Sequence, residues 1–146
     1  MQKIVINKYY GGFGLSHEAI MLYAKLSGFK LYPFVDIRDK DGNLDYGNKK
    51  YKLYKKESDK DSKYDIIYYT KKPLKKDGSY VEDSWFRDND IPRDDKNLVK
   101  VVKKLKEKAN DKYANLKIVK IPDNIKWTIG EYDGMESVEE NHRIWD

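Results

Sequence analysis

Apolar and polar positions along this chain predict six short strands and two principal helices. "KIVIN" (Lys3 to Asn7) is a compact run rich in β-branched residues, the pattern of a strand buried on both faces and central in a sheet. Beyond the glycines of "YYGGFGLS", Ser16 is placed to cap a helix and Glu18 suits the dipole of its first turn. Leu15, Ala19, Leu22, Tyr23 and Leu26 then recur at helical spacing until Gly28 ends the helix. "LYPFVDI" (Leu31 to Ile37) predicts a second strand with Pro33 at an edge or start position. Turn chemistry follows from Asp39 to Gly47, and the span from Lys49 to Lys63 reads as a solvated hairpin or excursion. "KYDIIYYT" (Lys63 to Thr70) and "YVEDSWF" (Tyr80 to Phe86) predict two more strands, with an Asp-Gly turn between them.

The clearest periodicity lies in "DIPRDDKNLVKVVKKLKEKAND". Asp94 or Asp95 caps this helix, and Leu98, Val101, Val102, Leu105 and Ala109 form its apolar stripe. Lysines 100, 103, 104, 106 and 108 occupy the other side, which reads as a solvated face. "LKIVKIP" (Leu116 to Pro122) is a strand ended by proline, "IKWTIGEYDG" (Ile125 to Gly134) is a strand and turn, and "MESVEENHR" predicts one or two helical turns. The order implies an α/β or α+β protein: a single domain over residues 1–146, with a mixed β-sheet, two main helices packed on it and a short C-terminal helix.

Composition narrows the chemistry. The 146 residues carry 38% charged and 39% hydrophobic side chains, which implies a small core under a heavily solvated surface. Thirteen tyrosines enlarge that core, because each buries a ring and keeps its hydroxyl wet. There is no cysteine, so disulfides, thiolate metal sites and cysteine nucleophiles are excluded together. No apolar run approaches the roughly 18 residues that a membrane span needs, and no signal peptide is visible, so a cytoplasmic protein with no membrane partner is expected. The net charge is +5, but 26 of the 30 basic residues are lysine, a pattern that solubility alone explains. The four arginines, Arg38, Arg87, Arg93 and Arg143, are more informative, since guanidinium grips phosphate or carboxylate in a bidentate fork.

Three segments have the letters for a site. A strand that ends in glycines and feeds a helix N-terminus can cradle phosphate on converging backbone amides. Gly12-Phe13-Gly14 supplies two glycines of a dinucleotide fingerprint, His17 stands in place of the third, and no Gly-Lys-Ser/Thr ending makes a P-loop. Gly11, Gly12 and Gly14 are therefore either a cradle, together with Ser16 and His17, or a tight turn; Tyr9, Tyr10 and Phe13 could stack on a base beside it. In "SWFRDNDIPRDD", Arg87 and Arg93 could clamp phosphate against a wall of Trp85 and Phe86; equally, the aromatics are core and the arginines pair with Asp88, Asp90, Asp94 or Asp95. Near the C-terminus, Glu131, Asp133 and Glu136 match no calcium loop and read as solvated carboxylates, while Arg143 is a further ligand-binding candidate and Trp145 a docking anchor. With His17 and His142 the only histidines, no catalytic or metal motif forms, and no cofactor is called for.

The segments "KIVINKYYGGFGLSHEAI", "DIPRDDKNLVKVV" and "LKIVKIPDNIKWTIGEYDGMESVEENHRIW" resemble a family of small, mostly uncharacterised bacteriophage and viral proteins. Against that family the Lys- and Tyr-rich stretch at about 38–83 looks like a variable insertion. The resemblance implies a context, the host cytoplasm, in which small phage proteins often act as counter-defence factors, one class of which sequesters nucleotide signals of bacterial immunity. By analogy, the leading expectation is a protein that binds a nucleotide-like phosphate ligand at the glycine loop and arginines without turning it over. Pockets of that kind often form between subunits, so a homo-oligomer fits, and nucleic acid ranks behind a small molecule. The alternatives are an interaction protein that inhibits a host protein through a surface patch, and a small nucleotide-processing enzyme that uses His17.

Overall fold

The computed structural model describes residues 1–36, 51–54, 66–71 and 84–140. Most of the expected insertion lies outside them, as do Arg38, His142, Arg143 and Trp145. The chain divides into two compact units, one of Met1–Ser27 with Asp88–Asp146 and one of Gly28–Arg87. Among the described residues the architecture is α+β, with three antiparallel sheets in place of the single mixed sheet expected from the pattern.

The first unit is built on β1 (Gln2–Asn7), which pairs antiparallel with β6 (Leu116–Ile121) in a register running from Gln2 opposite Ile121 to Asn7 opposite Leu116. Ile4, Val5, Ile6 and Asn7 are all buried, as the β-branched run predicts, yet the strand is not central. Its second edge is satisfied by groups outside the β1–β6 ladder. The Val5 N–H donates to the backbone carbonyl of Arg93 at 2.8 Å, and the Asn7 N–H donates to the Glu136 carboxylate at 2.8 Å. Buried backbone polar groups must find partners, and here a loop and a side chain serve where a third strand was expected.

Helix α1 (His17–Ser27) buries Ala19, Ile20, Tyr23 and Ala24, and Gly28 follows it at φ 82°. The buried stripe is rotated from the expected one: Ile20 and Ala24 face inward, and Leu26 is 43% exposed. Helix α2 (Lys96–Leu105) buries Leu98, Val99, Val101 and Val102 and continues into a 3-10 turn at Lys106–Ala109. Its cap is Asp95, whose side chain accepts from the N–H groups of Asn97 at 2.8 Å and Leu98 at 3.1 Å. The same carboxylate accepts from the Tyr23 hydroxyl at 3.1 Å, and Asn97 Nδ2 donates to Ser27 Oγ at 3.0 Å, so polar contacts tie the two helices together. Burial first, and the Asp95 carboxylate second, raise the Tyr23 phenol above the ordinary tyrosine range. Asp95→Ala removes a cap and a tyrosine partner together; denaturant unfolding should show a loss of about 1–2 kcal/mol.

Beyond β6, β7 (Trp127–Tyr132) and β8 (Met135–Glu140) form a hairpin, with Tyr132 opposite Met135. This corrects the expected C-terminal helix across Met135–Glu140; the remainder of "MESVEENHR" lies outside the described residues. Met135 and Val138 sit three apart and imitate a helical stripe, but Asp133 and Gly134 both have positive φ (50° and 88°), the two-residue turn that closes a tight hairpin.

The second unit holds a four-stranded antiparallel sheet ordered β3-β2-β4-β5: β3 is Tyr51–Leu53, β2 Tyr32–Asp36, β4 Ile67–Tyr69 and β5 Trp85–Phe86. Leu31, Phe34, Val35, Tyr68, Tyr69 and Ser84 are buried in it, with Phe34 and Tyr69 in edge contact at 5.6 Å. Pro33 lies near the start of β2, before the pairing with β3 begins at Phe34. No helix among the described residues is long and apolar enough to cross a membrane.

Candidate functional site

The loop after β1 is organised by one buried polar side chain. Asn7 is fully buried, and its amide makes four hydrogen bonds. Nδ2 donates to the carbonyls of Tyr9 at 2.7 Å and Gly134 at 2.8 Å, while Oδ1 accepts from the N–H groups of Tyr9 at 3.2 Å and Asn115 at 2.8 Å. That is the full capacity of an asparagine, so the end of β1, the segment before β6 and the β7–β8 turn are pinned to one point.

The glycines complete this junction. A Cβ on Gly11 would overlap Cβ and the backbone carbonyl of Tyr113, and one on Gly14 would sit 2.8 Å from Asp111 Oδ2. A Cβ on Gly134 would overlap the carbonyl of Tyr10 and lie 2.7 Å from the amide nitrogen of Gly12. The requirement for glycine at these positions is thus met by chain packing on chain, with no ligand needed to explain it.

The N-terminus of α1 is likewise occupied by the protein's own groups. Ser16 Oγ accepts from the Ala19 N–H at 3.1 Å and donates to the Lys108 carbonyl at 2.6 Å. The Ser16 N–H donates to the Ala109 carbonyl at 2.9 Å, and the Leu15 N–H to Asp88 Oδ2 at 2.9 Å. Asp88 takes the position an anion would take; burial lifts its carboxyl above the ordinary aspartate range, and the Leu15 hydrogen bond offsets this in part. His17, the first residue of the helix, is half-buried.

The arginines separate. Arg93 forms a bidentate pair with Glu136, Nη1 to Oε1 at 2.6 Å and Nη2 to Oε2 at 2.9 Å, and its guanidinium carbon lies 3.5 Å from the centroid of the Phe13 ring. Glu136 is only 5% exposed, so the fork that could have gripped phosphate grips a buried carboxylate. In the second unit, Arg87 lies over the ring of Trp85 at 5.0 Å, Trp85 is 61% exposed, and Phe86 contacts Phe29 at 5.7 Å. Arg143 lies outside the described residues. Of the acidic trio, Glu131 and Asp133 are exposed and Glu136 is buried; among the described residues no group of three or more His, Asp or Glu side chains could hold a metal ion.

Comparison with protein-family models, curated proteins and solved structures finds no match.

What the junction offers to solvent is tyrosine. Tyr9 and Tyr10 on the glycine loop are 53% and 59% exposed, Tyr113 beside Gly11 is 59% exposed, and Tyr132 at the hairpin turn is 80% exposed. The rings of Tyr9 and Tyr10 lie 6.5 Å apart, and Lys112 Nζ sits 5.4 Å from the ring centroid of Tyr113. Sequence reasoning names Tyr9 and Tyr10 but misses Asn7, Tyr113 and Tyr132, and it reads Glu136 as a solvated carboxylate where the structure buries it against Arg93. An asparagine closing an apolar β-branched run was the available clue to Asn7, and Asp-Gly at 133–134 the clue to the hairpin that carries Tyr132.

Proposed function

We propose that this chain is a binding protein that recognises a protein partner through the tyrosine-bearing loops of its first unit. The observation that carries this reading is the convergence of three loops, locked by Asn7, that display Tyr9, Tyr10, Tyr113 and Tyr132 at 53–80% exposure. Tyrosine supplies large amphipathic contact area with few rotatable bonds, and a fixed backbone beneath it reduces the ordering cost of association. The sequence resemblance to bacteriophage and viral proteins supports a partner in the host cell, with counter-defence as the proposed setting.

The test is affinity purification from host cells followed by calorimetry with the purified partner. Wild type should bind, and the Tyr10→Ala/Tyr132→Ala double variant, with an unchanged melting temperature, should bind at least about tenfold more weakly. Undiminished binding by the double variant would place the interface elsewhere. A second reading, a nucleotide-like ligand held without turnover, is favoured by the exposed Tyr9 and Tyr10 rings, on which a base could stack. Heat with ADP-ribose-type or cyclic dinucleotides that disappears in the double variant would favour it over a protein partner.

A further inference from the structure

At the other end of β1 the chain forms a groove of about 440 Å³ whose lining carries four lysines and one aspartate. Met1, Gln2 and Lys3 line one side, and Asp94, Lys96, Val99, Lys100 and Lys103 line the other. Lys96, Lys100 and Lys103 are spaced i, i+4 and i+7, which puts them on one face of α2, and Val99 beside them is 7% exposed. Across the β1–β6 ladder, Lys120 stands directly opposite Lys3.

This is an unfavourable gathering of like charge in the absence of an anion. Cross-strand lysines repel each other, and Lys103 brings a third ammonium to them. The Lys103 amine is held below the ordinary lysine range, chiefly by the neighbouring Lys3 ammonium, with slight burial and the Lys120 charge contributing further. Among the described residues, none of these lysines has an ion pair, although the N-terminal amine beside them pairs with Asp123 at 3.0 Å. Asp94 is the one carboxylate in the lining.

The geometry points to a binding site for a phosphate-rich anion in this groove, with Lys3, Lys100 and Lys103 as its principal ligands and Lys96 and Lys120 adding charge at its margins. Its volume suits a small polyanion. Lysine ammonium groups act as mobile point charges, which match successive phosphates better than a single planar carboxylate that would call for arginine. The shared chemistry is a run of adjacent phosphates, supplied either by a free nucleoside polyphosphate or by a nucleic-acid backbone. The site is independent of the tyrosine surface, and neither proposal requires the other.

Calorimetry at low ionic strength with inorganic tripolyphosphate, ATP, adenosine and an oligo-dT strand tests the assignment. Tripolyphosphate should bind, adenosine should not, and Lys3→Gln/Lys103→Gln should weaken tripolyphosphate binding more than about tenfold without lowering the melting temperature. Lys104→Gln/Lys108→Gln removes the same charge outside the groove and should change affinity by less than about twofold. ATP binding as tightly as tripolyphosphate, with oligo-dT no tighter, identifies a free nucleotide as the source. Tighter oligo-dT binding, with log K falling against log salt at a slope of about −3, identifies a nucleic-acid backbone. No binding of any phosphate probe, or equal weakening by the two double variants, overturns the site.

Discussion

Glu136→Ala should destabilise the protein by about 3–5 kcal/mol, the largest loss expected from any single polar contact in the first unit. The substitution removes both partners of the Arg93 fork, bonded at 2.6 and 2.9 Å, and leaves a guanidinium whose side chain is only 15% exposed beside the Phe13 ring. It also orphans the N–H of Asn7, itself 0% exposed, which donates to the same carboxylate. An uncompensated buried charge costs far more than the net value of the pair. Removing both partners, as in Arg93→Met/Glu136→Leu, should therefore recover part of the loss but not all of it, because the Asn7 amide still lacks an acceptor. Urea unfolding of Arg93→Met, Glu136→Leu and the double variant measures the coupling. A loss below about 1 kcal/mol in Glu136→Ala would mean that water reaches the pair and that it behaves like a surface ion pair.

Asn7→Ala is expected to cost about 2–4 kcal/mol and to loosen the tyrosine loops selectively. Four backbone groups lose their partner at once: the carbonyls of Tyr9 and Gly134 and the N–H groups of Tyr9 and Asn115. Asn7→Asp is instructive beside it, because the carboxylate keeps the acceptor for Asn115 but faces the Tyr9 and Gly134 carbonyls with no donor. It should therefore be no better than alanine. Amide hydrogen exchange checks the mechanism: protection should fall at Tyr9 and Asn115 well before it falls in α2. Uniform loss of protection across the unit would show that Asn7 stabilises the fold globally and does not specifically lock the junction.

The parts of the fold legible in the sequence were those governed by neighbours in the chain. The β-branched run of β1, the Gly28 stop, the stripe Leu98-Val101-Val102 and a cap at Asp94 or Asp95 all depend on contacts within a few residues, and the structure selected Asp95. The hairpin of β7 and β8 was misread although its Asp-Gly turn was visible. Acidic residues around Met135 and Val138 suggest a helical turn, and nothing local says that Glu136 is buried. Its partner Arg93 is 43 residues away, a separation that no spacing rule connects.

The glycine loop divides in the same way. Sequence by itself determined that a strand, a glycine turn and a capped helix follow one another, because glycine's freedom at φ 92° and serine's capping chemistry are local properties. Only the tertiary structure decided what fills the turn. Asp88, Ala109, Tyr113 and Gly134 arrive from distant parts of the chain to occupy the space and the amides that a phosphate would have used. Likewise, the sequence determined that lysines 100 and 103 share a solvated helix, but the β1–β6 register and the packing of α2 on β1 placed them against Lys3. Charges distant along the chain became one electrostatic site through antiparallel pairing, whose energy comes from the backbone and the apolar core and is indifferent to the repulsion it creates at its edge.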